Sequence, residues 1–180
     1  LVRGDYAESH PTLTQVIRDI EEKDLLAFAV LYHDIGKGEG RGHVEKGAPL
    51  IRKAGERIGF TPAEVDQLEF LERSHLIMTH LAFRRDLEDQ HLIIQFARAM
   101  QNLEFLNRLY VLTFCDVKAV GPEAMTDWKA SLIEYLYLRT REVILKGTYT
   151  KERVSSLTPK VLQEVLHLLS SERDKEKCRE

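Results

Sequence analysis

The sequence predicts an all-α domain of about eight helices, and three observations carry that prediction. Apolar residues recur three and four apart through most of the chain. Helix caps and helix stops punctuate it at short intervals. No segment alternates apolar and polar residues over a strand's length, and no Asn-Gly or Asp-Gly pair offers a hairpin turn.

The elements follow in order. Val16, Ile17 and Ile20 mark a short first helix. Leu25 to His33 is a second, buried one, ended by the glycines at 36, 38, 40 and 42. A third runs from about His43 to Arg57, with Leu50, Ile51, Ala54 and Ile58 on one face, and Gly59 stops it. The stretch T-P-A-E predicts a capping box, with Thr61 as N-cap, Pro62 at the first helical position and Glu64 reaching back. That helix carries Val65, Leu68 and Leu71 and ends near His75. The segment from Leu76 to Glu88 reads as polar and irregular. Asp89 caps a helix through Met100, and Asn102 caps another through Leu103, Leu106, Leu109, Tyr110 and Thr113. Gly121-Pro122 breaks the chain. A long helix spans Thr126 to Lys146 and ends at Gly147, and a last amphipathic helix is expected over 158–169. The organisation expected is one domain over 1–147, then a linker, a C-terminal helix and a charged tail over 148–180.

With 180 residues, 43% of them hydrophobic and 31% charged, the chain is long enough for one domain with a full core. A net charge of −3 gives no electrostatic footprint for nucleic acid. The two cysteines, Cys115 in an apolar run and Cys178 in a charged tail, do not make a disulfide framework, which fits a reducing cytoplasm. The longest apolar run, Leu25 to Tyr32, is far short of the ~20 residues a membrane span needs.

Five polar residues sit where the helix pattern asks for apolar ones or ends. His33 and Asp34 follow the apolar run of the second helix, and His43 opens the third. His75 closes the fourth, and Asp116 lies near the end of V-L-T-F-C-D-V-K-A-V. A buried carboxylate needs a proton or a cation. Three imidazoles and two carboxylates at helix ends make a donor set for a borderline divalent metal, Zn, Fe, Mn or Co, while the lack of ligating cysteine argues against a structural zinc. Neighbouring ligands point ~100° apart within a helix, so an adjacent His-Asp pair works best at a last turn, where glycines release the backbone. The other histidines read as ordinary cap or core residues, with His10 kept as a weak candidate on its spacing to His33.

The adjacent pair in H-D-I-G-K-G resembles the signature of the HD superfamily of metal-dependent phosphohydrolases. Further stretches are G-H-V-E-K-G-A, S-H-L-I-M-T-H-L-A-F-R-R-D-L-E-D, L-Y-V-L-T-F-C-D-V-K-A-V-G-P and D-W-K-A-S-L-I-E-Y-L-Y. In order over residues 24 to 140, they resemble the HD domain of the bifunctional uridylyltransferase/uridylyl-removing enzymes that modify the PII nitrogen-regulatory protein. The resemblance implies an HD helical bundle with its metal site between helix ends. His33, Asp34 and Asp116 would be ligands of one divalent ion (Mn, Fe, Zn, Co or Mg), and Asp34 would bridge to a second held by His43 and His75. It implies cytoplasmic hydrolysis of the phosphodiester joining UMP to a PII tyrosine, and a longer chain with nucleotidyltransferase and ACT domains. Lys37, on a glycine-flexible loop, would meet a phosphate oxygen, and Arg84 and Arg85 would contact phosphate or nucleotide or else pair with Asp86 and Asp89 on the surface. A tyrosyl leaving group, with a phenol pKa of about 10, needs little proton assistance. The family's first metal histidine belongs to an earlier segment, expected upstream of Leu1. An HD phosphohydrolase acting on free nucleotides, and a non-catalytic regulatory HD module, stay open as alternatives.

Overall fold

Eight α-helices and one 3-10 turn, with no strand, make up the described residues of the computed structural model, which are 3–39, 42–121 and 123–147. The helices are α1 (Pro11–Asp19), α2 (Lys23–Tyr32), α3 (His43–Ile58), α4 (Pro62–Ser74), α5 (Ile77–Arg84), α6 (Gln90–Met100), α7 (Leu103–Val120) and α8 (Asp127–Lys146), with the 3-10 turn at Lys37–Glu39. The expected caps form. The Thr61 backbone N–H donates to Glu64 at 2.7 Å and the Glu64 N–H donates back to the Thr61 hydroxyl, closing the box. Asp89, Asn102 and Thr126 each accept from a backbone N–H in the first turn of α6, α7 and α8.

One expectation fails. The segment from Leu76 to Glu88 is not irregular, because its first part is α5. Ile77, Met78, Leu81 and Ala82 form a buried stripe at helical spacing. The acidic and basic cluster that follows belongs to a separate turn, in which the Asp86 carboxylate accepts from the Glu88 N–H at 2.9 Å. Averaging the two halves hid the helix. The helix expected over 158–169 lies outside the described residues, so the agreement in number between expectation and structure comes from different helices.

α7 is the central element. Leu106, Leu109, Tyr110, Val111, Leu112, Thr113 and Phe114 are all buried, so the helix is enclosed around most of its circumference. It packs against α1, α2, α4, α5, α6 and α8. α3 instead packs mainly on α4, its antiparallel neighbour across the Gly59–Thr61 turn. Alternation of direction then places the end of α2, the start of α3 and the end of α4 at one pole of the bundle. Among the described residues, no helix is long and apolar enough to cross a membrane.

Candidate metal centre

Four helices deliver the five polar residues to that pole. His33 is the C-cap of α2, Asp34 follows it, His43 is the first residue of α3, and His75 is the C-cap of α4. Asp116 lies one turn before the end of α7. Two triads result, with ligating atoms within 4.8 Å of one another: His33, Asp34 and Asp116, and Asp34, His43 and His75. Asp34 belongs to both. Its Oδ2 lies 3.2 Å from His33 Nε2 and its Oδ1 3.8 Å from His75 Nε2. Asp116 Oδ1 lies 3.2 Å from the same His33 nitrogen.

The loop after Asp34 must come very close to α3. A Cβ on Gly36 would sit 2.0 Å from the His43 carbonyl oxygen, so only glycine fits there. Gly47, one turn into α3, is crowded by a side chain rather than by backbone, since a Cβ there would lie 1.9 Å from Glu72 Oε1 on α4. These two glycines let the His-Asp loop, the start of α3 and the end of α4 converge.

Both inner histidines have their tautomers set by carbonyls, which can only accept. His33 Nδ1–H donates to the Val30 carbonyl at 2.9 Å, and His75 Nδ1–H donates to the Glu72 carbonyl at 2.6 Å. Each Nε2 therefore faces the triads, the arrangement in which a second hydrogen bond orients a metal-binding imidazole. Burial holds the His75 ring well below its ordinary value, at about 4, so it is neutral with its lone pair available. Burial also works against charge on His33, but hydrogen bonds to Asp116 and Val30 and the nearby carboxylates outweigh it and raise its pKa. The His33 hydrogen bond holds Asp116 below the usual carboxylate range.

Asp34 Oδ1 and His75 Nε2 are buried without a hydrogen-bond partner. Orphaned acceptors facing one another are costly in a protein interior, and a cation between them would satisfy both. The C-terminal ends of α2 and α4 add their negative dipole ends to the same place. The residues present therefore fit a divalent cation, with oxygen and imidazole donors and no thiolate.

The remaining expected residues divide. Lys37 stands on the 3-10 turn with Nζ 2.5 Å from Asp34 Oδ2, its side chain mostly exposed at the rim. Arg84 and Arg85 are exposed, as the last residue and the C-cap of α5, and belong to neither triad. His10 packs between Tyr6 and Phe114, with ring centroids at 5.8 and 4.9 Å, as part of an aromatic cluster. Glu72 is the residue that sequence reading missed. It is fully buried at the same pole, and burial pushes its carboxyl up to about 8. A signal was there to read: Val65, Leu68, Glu72 and His75 share one heptad-spaced stripe of α4, and a glutamate stands where that stripe calls for an apolar residue.

An all-α bundle with an adjacent His-Asp pair at a helix end defines a class, and comparison with known proteins gives it a family. The model of the HD domain matches residues 5–108, so the chain belongs to the HD-domain family, whose members are in general metal-dependent phosphohydrolases. The chain is also 36% identical over 145 residues to the bifunctional uridylyltransferase/uridylyl-removing enzyme of Ruegeria pomeroyi. That match takes in 81% of this chain and 16% of the relative's length. No solved structure gives a significant match.

Proposed function

We propose that this chain is the uridylyl-removing part of a PII-modifying enzyme: a metal-dependent phosphodiesterase that hydrolyses the bond between UMP and a tyrosine of PII. The observation that carries the reading is the shared aspartate. Asp34 turns one oxygen toward His33 and the other toward His75, and it belongs both to the triad with Asp116 and to the triad with His43. That suits a pair of divalent ions acting on one phosphodiester. We assign His33, Asp34 and Asp116 to one ion and Asp34, His43 and His75 to the other. Each ion, when bound, supplies Lewis acidity toward phosphoryl oxygen and toward water.

The chain's own groups do the rest. The Val30 and Glu72 carbonyls hold two imidazoles in the metal-binding tautomer. Lys37, at the rim and paired with Asp34, is within a side-chain rotation of an incoming phosphate oxygen and offsets its charge. Cleavage transfers the uridylyl group from the tyrosyl oxygen to water, giving UMP and the unmodified tyrosine side chain of PII. With a phenol pKa of about 10, the tyrosyl oxygen leaves with little help, so the pole needs no dedicated proton donor. Arg84 and Arg85 are assigned to the nucleotide or the PII surface, at a distance from the reacting phosphorus. Residues 1–147 form the catalytic domain, in a cytoplasmic protein that also carries nucleotidyltransferase and ACT domains.

The test is release of UMP from uridylylated PII in Mn²⁺ by the longer protein carrying this domain. Asp34→Ala and His75→Ala should each lower kcat/KM by at least about a hundredfold, and Lys37→Ala by about as much. Undiminished cleavage by Asp34→Ala would remove the shared aspartate from the mechanism. Turnover of free nucleotides with uridylylated PII untouched would replace the substrate while leaving the reaction class.

A further inference from the structure

The Glu72 backbone carbonyl orients His75, but the Glu72 side chain takes no part in the mechanism above. The two triads use the end of α4 only through His75, and Glu72 lies one turn earlier on the same helix face. Its side chain is wholly buried, and both carboxyl oxygens lack a hydrogen-bond partner. Protonation alone does not resolve this, because a neutral carboxyl would leave its own O–H unsatisfied as well. Nor does an arginine hydrogen-bond to it. Arg73, its neighbour in sequence, turns outward and gives two hydrogen bonds to Glu69, at 2.8 and 3.0 Å.

The fold nevertheless keeps a slot for this carboxyl. Glu72 Oε1 occupies the space a side chain at 47 would take, and Gly47 N lies 2.7 Å from where a Cβ on Gly36 would sit. Gly36 belongs to the loop that carries Asp34, and Gly47 is one turn beyond His43. The carboxyl is thus enclosed by the backbones that position two of the ligands and by the helix that positions a third. It also lies within electrostatic range of His33 and Arg73, which favour its charge, and of Asp34, which opposes it. Asp34 Oδ1 and His75 Nε2 are orphaned at the same pole. Positive charge held at the triads would satisfy Asp34 Oδ1 and His75 Nε2 directly and would favour the Glu72 carboxylate from a distance.

Building on the shared-aspartate reading, we propose that Glu72 is a positioning carboxylate of the metal centre, whose charge, one turn behind His75 and against Gly47, strengthens the hold of Asp34, His43 and His75 on their ion. It contributes from behind the imidazoles, through the interior between α3 and α4, where a charge is weakly screened. With Asp34 and Asp116 it brings three carboxylates to one pole, set against the charge of two divalent ions.

The test is calorimetric titration of the full chain with Mn²⁺, beside thermal melting of the metal-free protein. Glu72→Gln keeps the shape and removes the charge, and Glu72→Leu removes the polar group altogether. Both should bind one of the two Mn²⁺ ions about tenfold less tightly, with the other ion little changed. Metal-free, both should melt at or above the parent temperature, because a buried orphan has been removed. Parent-like affinity at both sites in Glu72→Gln would overturn the proposal and leave the shared aspartate standing. A clear drop in metal-free melting temperature in both variants would also overturn it, since it would show that Glu72 is a packing residue. A parent that takes up fewer than two ions would overturn this proposal and the two-ion reading together.

Discussion

Arg108 and Glu72 are both charged residues, both buried and both on helices of the same core, and they stand in opposite situations. Arg108, on α7, is 1% exposed, and its guanidinium donates to Glu22, Gln67 and Glu104, leaving only Nε without a partner. Glu72, on α4, is 0% exposed and has no side-chain partner at all. The difference separates two uses of a buried charge. Arg108 is completed by the protein and ties the start of α2, α4 and α7 together. Glu72, like Asp34 Oδ1 and His75 Nε2, is left incomplete at the pole where the ligand triads meet. Charges the fold has already answered are structural, and charges it leaves unanswered mark where a ligand belongs.

The largest effect expected lies on the completed side. Arg108→Ala leaves a cavity and removes the contacts to Glu22, Gln67 and Glu104 that tie three helices together, and should lower the stability of the metal-free chain by about 3 kcal/mol in urea unfolding. Arg108→Met, which keeps most of the volume, should cost clearly less, because Glu22 and Glu104 are partly exposed and can return to water. Neither change should alter Mn²⁺ affinity of the folded protein. If Arg108→Ala weakens metal binding in molecules that remain folded, the division between the two regions is wrong.

Next comes the packing that confines Glu72. Gly47→Ala would set a methyl group 1.9 Å from Glu72 Oε1 in a buried seam. We expect a loss of about 2 kcal/mol from that overlap. Gly47→Ala combined with Glu72→Ala should cost less than the two single changes added together, by about 1 kcal/mol or more, since the second change removes what the first collides with. Simple additivity would mean that the seam yields elsewhere and that Glu72 is not held by it.

Much of this was legible in the sequence, and the exceptions have physical reasons. The capped helices α4, α6, α7 and α8 announce themselves because a cap is a local event, confined to four residues around Thr61, Asp89, Asn102 or Thr126. The five residues of the triads were legible for the opposite reason: a histidine or aspartate in an apolar setting is conspicuous wherever its partners are. α5 was missed because its four-residue stripe is too short to stand out beside the charged turn that follows it. Arg108 and Glu72 were missed because each is one charged residue on a helix with many, and only tertiary packing decides which of those faces inward. The convergence of Gly36 with His43, and of Gly47 with Glu72, is a long-range fact that no local pattern encodes.

The smallest effect belongs to charges that are answered but exposed, on the outer face of α3 and α4. Arg52 pairs with Asp66 and with Glu69, at 2.7 Å to the latter, and Arg73 pairs with Glu69 at 2.8 Å. Partial burial would raise the Glu69 carboxyl, but Arg73 and Arg52 outweigh it and hold its pKa below the ordinary value of 4.5. A carboxylate with a lowered folded-state pKa stabilises the fold above its ordinary value and ceases to do so as pH falls through the folded one. Solvent reaches these groups, so Arg52→Ala should cost less than about 1 kcal/mol at pH 7. That difference from the parent should shrink as pH falls below 4.5 and Glu69 takes up its proton, and Mn²⁺ affinity at pH 7 should be unchanged. A cost near that of Arg108→Ala would show that exposure does not distinguish these pairs from the buried one, and burial would then no longer separate the two kinds of answered charge.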